Sequence, residues 1–212
     1  LMAIVGTHMK NQGKLKNDTI VATVMSNLGF LMMAEEHQIH VEQTKVGDRY
    51  VLERMQEIGA NLGGEQSGHI IMLDRNTTGD GLLSALLLLE VLVKTGKPLS
   101  ELASIMEVLP QALVNAKVPN HKKDRYMEYP EIADAIQKLT DKFAGEGRVL
   151  IRPSGTEPLV RVMIEGKDQL WDYNILSGIE VSMVPYYFQP IPLETLLQSK
   201  GNVTNGYGLP QK

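Results

Sequence analysis

The chain has 212 residues, 43% of them apolar and 22% charged, a globular profile with room for one large or two modest domains. It has no cysteine, which excludes a disulfide scaffold, a zinc finger and a thiol nucleophile and fits a reducing cytoplasm. With 25 acidic against 21 basic side chains, the net charge of −4 gives no electrostatic reason to expect a nucleic-acid partner.

The chain opens Leu1-Met2-Ala3-Ile4-Val5-Gly6, with no basic segment before the apolar run, so a signal peptide is not expected. A start on Leu fits a chain cut from something longer and equally an expression artefact. Asn17-Asp18-Thr19, followed by Ile20, Val21, Val24, Met25 and Leu28, predicts a capped helix over 17–33, with Gly29 as a stop. Ile39 and Val41 alternate with polar neighbours as in a short strand, and Val46-Gly47-Asp48 is a turn. Arg49 to Ile58 has helical spacing and closes at Gly59. Residues 61–67 are glycine-rich, 69–73 read as a strand, and 74–81 as a polar loop. The run 82–94 predicts a helix ended by Gly96 and Pro98, with another short helix after Ser100-Glu101. Apolar nearly all round, 82–93 is expected to be buried on most sides. It is too short to span a bilayer, which needs about 20 residues. No membrane partner is expected.

Strands alternating with helices predict an α/β fold: an α/β sheet domain covered by helices over 1–110. Prolines 110, 119 and 130 and the basic cluster His121, Lys122, Lys123 and Arg125 mark Pro110–Pro119 as the domain joint and 121–125 as a solvated linker. A smaller α+β domain follows over 111–169: a helix around 131–143, a turn at Gly145-Glu146-Gly147, and strands at 148–152 and 159–165. Residues 170–212 hold six of the 11 aromatics but five charged residues, without periodicity. They are set apart as an unassigned tail, with 201–211 read as disordered.

Three segments can carry chemistry. In Arg152-Pro153-Ser154-Gly155-Thr156-Glu157-Pro158 a glycine between two hydroxyl residues can turn backbone N–H groups toward one point, as an anion nest. Ser154 and Thr156 add hydroxyl donors, and Arg152 a fork for phosphate. Arg161 lies on the following strand. The same pattern also fits a plain hairpin turn with exposed arginines. In Gly63-Gly64-Glu65-Gln66-Ser67-Gly68-His69, Glu65, Ser67 and His69 share one parity on an extended segment. They suit sugar hydroxyls or an amine, though a glycine loop before a strand fits as well. Lys45 or Arg49, in Lys45-Val46-Gly47-Asp48-Arg49, can face an anion or belong to a solvated turn. The histidines are too scattered for a metal site, and neither a Walker loop nor a dinucleotide fingerprint occurs.

Taken in order, the segment 63–69, Thr78-Gly79-Asp80-Gly81 and the segment 152–158 resemble the α-D-phosphohexomutase family over roughly Leu1 to Lys167. Val46–Val51 and Gln66 look most like its bacterial branch that acts on glucosamine phosphate. The resemblance implies the third and fourth of four domains. Glu65, Ser67 and His69 would belong to the sugar-recognising loop, and Arg152, Ser154, Gly155, Thr156 and, by position, Arg161 to the phosphate loop. It implies an isomerase that moves phosphate between O6 and O1 of a hexosamine phosphate through a bisphosphate, feeding UDP-N-acetylglucosamine and peptidoglycan synthesis in the cytoplasm. It also implies a phosphoserine in domain one and Mg2+ held by aspartates of domain two. No serine here has the phosphoserine context, and no alternating aspartate loop occurs. Both are expected before Leu1, so the chain alone is expected to bind substrate and not to turn it over. The alternatives are a non-catalytic phosphosugar-binding module and a phosphomannomutase-type relative. The oligomeric state is left open.

Overall fold

The computed structural model describes residues 1–143 and 147–167. The expected turn at 145–147 falls mostly, and the tail from 170 wholly, outside the described residues. Two compact units divide at Val108/Leu109.

The first unit is a four-stranded sheet in the order β2-β1-β3-β4, where β1 is Thr19–Thr23, β2 His40–Thr44, β3 Leu62–Gly64 and β4 Ile70–Met72. β1 pairs in parallel with β2 and β3, and β4 runs antiparallel to β3. β1 is buried on both faces because helices lie on each side. Ile20 and Ala22 join Leu62 against α1 (Met2–Asn11) and α2 (Leu28–Glu36). Val21, one residue out of phase, joins Ile71 against Val51 and Met55 of α3 (Asp48–Ile58). α3 ends at Gly59, whose φ of 71° is the left-handed cap glycine allows.

The helix expected over 17–33 is not formed. Its apolar spacing is shared by a β-branched run, Thr19 to Val24, and strand pairing on both sides takes that run into the sheet. The helix starts later, where the Asn27 side chain accepts from Gly29 N at 3.0 Å. Gly29 is therefore in its first turn, not its stop.

The burial expected for the long apolar helix is also corrected. α4 (Gly81–Thr95) packs one face on α1, burying Ser84 and Val91. Leu82, Leu86, Leu89 and Val93 are 74, 55, 54 and 82% exposed. Their 4-3-4 spacing makes one stripe. A helix apolar all round needs neighbours on two sides, and α1 supplies one.

The second unit has three antiparallel strands in the order β5-β7-β6: β5 Gln111–Lys117, β6 Gly147–Pro153 and β7 Leu159–Gly166. The segment expected to be a domain joint is thus mostly β5. The cluster expected to be a linker enters a 3-10 helix, Lys123–Glu128. α5 (Pro130–Phe143) covers one face, closing Ile132 and Phe143 over Ala116, Val160, Val162 and Ile164. The alternate residues form rows across the other face. Gln111, Glu165 and Arg148 make one row, Leu113, Met163 and Leu150 the next, and Asn115, Arg161 and Arg152 lie opposite one another in the last.

Candidate functional site

The glycines before Glu65 answer to packing. A Cβ on Gly63 would lie 2.5 Å from the Met55 sulfur, and one on Gly64 2.5 Å from the His69 carbonyl oxygen. The antiparallel pairing of Gly64 with Ile70 then demands a reversal over 65–69. Glu65 N donates to His69 O at 2.9 Å, and Gly68 N to Glu65 O at 3.0 Å, with Gly68 at φ +96°. Glu65, Ser67 and His69 therefore do not lie along one extended run, as expected; they sit around a tight loop with Ser67 exposed.

Two further segments are tied to this loop. Glu65 Oε1 accepts from Gly47 N at 2.9 Å, joining the loop to the turn that opens α3. His69 Nε2 accepts from Gly79 N at 3.2 Å and lies 3.5 Å from Asp48 Oδ2. A Cβ at Gly79 would collide with the imidazole. The Thr78–Gly81 segment is fixed in turn, because Asp80 N donates to Ile70 O at 3.3 Å and the Asp80 side chain caps α4 by accepting from Leu83 N at 2.9 Å. Lys45 is exposed, and the exposed Arg49 pairs with Glu53 at 2.7 Å.

In the second unit, Ser154 is nearly fully buried at the start of the turn between β6 and β7. Its N–H donates to Leu159 O at 2.9 Å, and its Oγ accepts from Glu157 N at 3.1 Å. Gly155 and Thr156 are exposed at the tip. A Cβ on Gly155 would meet open space, and its φ is not positive, so the loop needs no special conformation there. Lys123 Nζ donates to Ser154 O at 2.5 Å, bringing a third basic side chain to the loop. Lys123 reads as part of a linker in the sequence, because nothing in its spacing shows that the 3-10 helix returns to this turn.

Arg152 and Arg161 stand directly opposite each other on β6 and β7. Like charges in that position repel. Arg161 Nη2 reaches Glu157 Oε2 at 2.8 Å, yet among the described residues the buried Nε of each arginine has no hydrogen-bond partner. Burial, then the neighbouring Arg161, holds Arg152 below its ordinary guanidinium value. Two buried donors sharing one sign of charge are what an anion would satisfy.

Among the described residues no three His, Asp or Glu side chains come together as metal ligands, so these residues do not fit a Mg2+ site. Among them, no helix is long and apolar enough to cross a membrane.

Residues 1–109 match the phosphoglucomutase/phosphomannomutase alpha/beta/alpha domain III, and residues 113–172 match the C-terminal domain of the same proteins. A phosphoglucosamine mutase from Ruminiclostridium cellulolyticum is 63% identical over 169 residues, 80% of this chain and 38% of the relative. One from Acetivibrio thermocellus is 62% identical over 184 residues, 87% of this chain and 40% of the relative. The chain thus spans about two fifths of these relatives' length. An N-acetylglucosamine-phosphate mutase in its substrate complex matches at a TM-score of 0.69 and 20% identity, over 85% of this chain and 42% of that one. An Aspergillus fumigatus N-acetylphosphoglucosamine mutase, in complex with GlcNAc-6P and magnesium, matches at 0.65 and 19%, over 85% and 44%. Those two likenesses establish a shared fold. With domain III matched over more than half its length and the C-terminal domain following in order, the chain belongs to the phosphoglucomutase/phosphomannomutase family.

Proposed function

We propose that this chain is the substrate-holding half of a phosphohexomutase that interconverts glucosamine 6-phosphate and glucosamine 1-phosphate. In that reaction a phosphoserine gives its phosphoryl group to the free hydroxyl of the monophosphate. It then takes back the other phosphoryl group from the bisphosphate, so the sugar is isomerised and the serine restored. Phosphoryl transfer depends on positioning and charge stabilisation. The roles left to these residues are to grip the phosphate that is not reacting and the hydroxyls of the ring.

The observation that carries the reading is the opposed Arg152 and Arg161 pair, whose buried Nε atoms have no partner among the described residues. Ser154, Gly155 and Thr156 supply the adjoining loop. Glu65, Ser67 and His69 supply acceptors and donors for hydroxyls in the first unit. Lys45 is an exposed cation for a second anionic contact, whereas Arg49 is engaged with Glu53. The names of the relatives near 60% identity support glucosamine over mannose as the sugar. Magnesium and the phosphoserine are assigned to parts of the longer protein not contained in this sequence.

Isothermal titration of the chain with glucosamine 6-phosphate tests the reading. Binding is expected, with Arg152→Ala weakening it by at least about tenfold, the cost of a charged hydrogen-bond pair. No interconversion is expected when Mg2+ and glucosamine 1,6-bisphosphate are added. Turnover by this chain alone overturns the assignment as a substrate-holding half, and absence of binding overturns the sugar-phosphate assignment.

A further inference from the structure

We propose that Lys123 is a positioning residue of the loop between β6 and β7: by holding the Ser154 carbonyl it aims the Gly155 N–H at an anion drawn to Arg152 and Arg161. The aiming role rests on the function proposed above; the hold on the peptide does not.

Backbone bonds bring Lys123 to the loop. Val118 N donates to Pro158 O at 2.9 Å, fastening the end of β5 to the far end of the loop. Lys123 N donates to Pro119 O at 3.2 Å as the 3-10 helix Lys123–Glu128 begins. Tyr126 of that helix packs on the core that α5 closes. From there Lys123 Nζ donates to Ser154 O at 2.5 Å, whereas Arg125 of the same helix turns to Glu128.

The other bonds of Ser154 leave the next peptide free. Its N–H goes to Leu159 O, and its Oγ accepts from Glu157 N. Among the described residues the Gly155 N–H has no acceptor, and no neighbour packs where a Gly155 Cβ would be. The orientation of the peptide between Ser154 and Gly155 is therefore left to Lys123. A trans peptide carries its N–H antiparallel to its C=O. A carbonyl turned to Lys123 thus turns the Gly155 N–H away from it. Lys123 arrives from the side of the sheet that α5 covers, and Arg152 and Arg161 stand on the other side. The Gly155 N–H is sent toward the arginines, where a phosphate oxygen would accept it. An ammonium on the carbonyl also polarises the peptide and strengthens its N–H as a donor.

Carbon and nitrogen spectra of the labelled chain without ligand read the hold on the peptide. Lys123→Met keeps an apolar stem and removes the donor. The Ser154 carbonyl carbon is expected to move upfield and the Gly155 nitrogen to shift; unmoved resonances overturn the inference. Titration with glucosamine 6-phosphate reads the aim. In the unsubstituted chain the Gly155 amide proton is expected to move downfield on binding, as it gains an acceptor. In Lys123→Met that movement is expected to vanish and affinity to fall about tenfold, one charge-assisted hydrogen bond. Lys123→Arg restores a charged donor and is expected to recover the movement, with affinity within about threefold. Lost affinity with the Gly155 movement intact makes Lys123 a point charge and overturns the inference. A lowered urea midpoint with affinity and movement both kept makes it structural and overturns it as well. If the unsubstituted chain binds no sugar phosphate, the functional reading fails and the aiming role with it, while the ligand-free spectra still decide the hold on the peptide.

Discussion

In the first unit two polar side chains of the loop are bonded to the protein itself: Glu65 accepts from Gly47, and His69 from Gly79. In the second unit Arg152 and Arg161 face each other across two strands, each with a buried Nε that has no partner among the described residues. A loop tied down at two of its side chains is held in shape before any ligand arrives, which would suit the exchange of weak hydrogen bonds with neutral hydroxyls. A pair of guanidinium groups held against their mutual repulsion stores an unmet demand for negative charge. The contrast also appears within the second sheet. One row across it closes a carboxylate between Arg148 and Gln111, and the last row leaves two arginines side by side. The first pairs its buried charge within the sheet, and the second is the row to which the proposed function gives the substrate phosphate.

The largest effect tests the closed row. Glu165 is fully buried, accepting from Arg148 Nε at 2.7 Å and from Gln111 Nε2 at 2.8 Å. Arg148→Ala strips the guanidinium from a buried carboxylate, which costs about 3 kcal/mol. Urea denaturation followed by a probe in the second unit is expected to show that loss. A change within error would mean that the row is not what holds the sheet.

The open row is expected to behave in the opposite way. Arg152→Met removes a desolvated charge that repels Arg161 and keeps an apolar stem of similar length. Affinity for glucosamine 6-phosphate is expected to fall about thirtyfold, roughly 2 kcal/mol, without any fall in the urea midpoint. A destabilised variant would show that Arg152 is a structural residue, and the comparison between the rows would break.

In the first unit the proposed function gives a binding role to a residue that also ties the fold together. Glu65→Ala leaves the Gly47 N–H without its side-chain acceptor and frees the turn before α3. About 1 kcal/mol of stability is expected to go, together with sugar affinity. Loss of affinity alone would place Glu65 with Arg152 in kind.

Much of this was legible in the sequence where one physical cause dominates. The cap glycines 59 and 96, the alternation of 159–165 and the spacing of 49–58 each lead to the element observed. The failures come where the cause is tertiary. Thr19–Val24 reads as helix until strands on both sides claim it. α4 reads as buried because apolar composition does not count the neighbours available to cover it. The same holds for the site. Arg152 and Arg161 can be picked out by residue type, but their direct opposition depends on register, which the intervening turn sets. Lys123, Asp48 and Gly79 reach the loops only through the fold, and no local pattern marks them.

The smallest effect extends the comparison to pH. Asn61 is buried and its amide donates to Asp74 Oδ2 at 2.6 Å and to Lys14 O at 2.9 Å, while Lys16 reaches Asp74 Oδ1 at 2.5 Å. The Asn61 amide first, then Lys16, holds the Asp74 carboxyl below its ordinary value of 3.8. A carboxylate depressed in this way contributes stability that is fully present above its ordinary value and is lost as pH falls through the folded one. Because 44% of the Asp74 side chain is exposed, solvent screening limits the contribution to about 0.5 kcal/mol. The first unit is therefore expected to lose that increment below about pH 4, and Asp74→Asn to remove the difference between neutral and acid conditions at this site. The guanidinium pair of the second unit stays charged through the same range and contributes no such slope. Denaturation at a series of pH values, read separately in each unit, checks it: an acid-dependent increment that survives Asp74→Asn would assign it to another carboxylate.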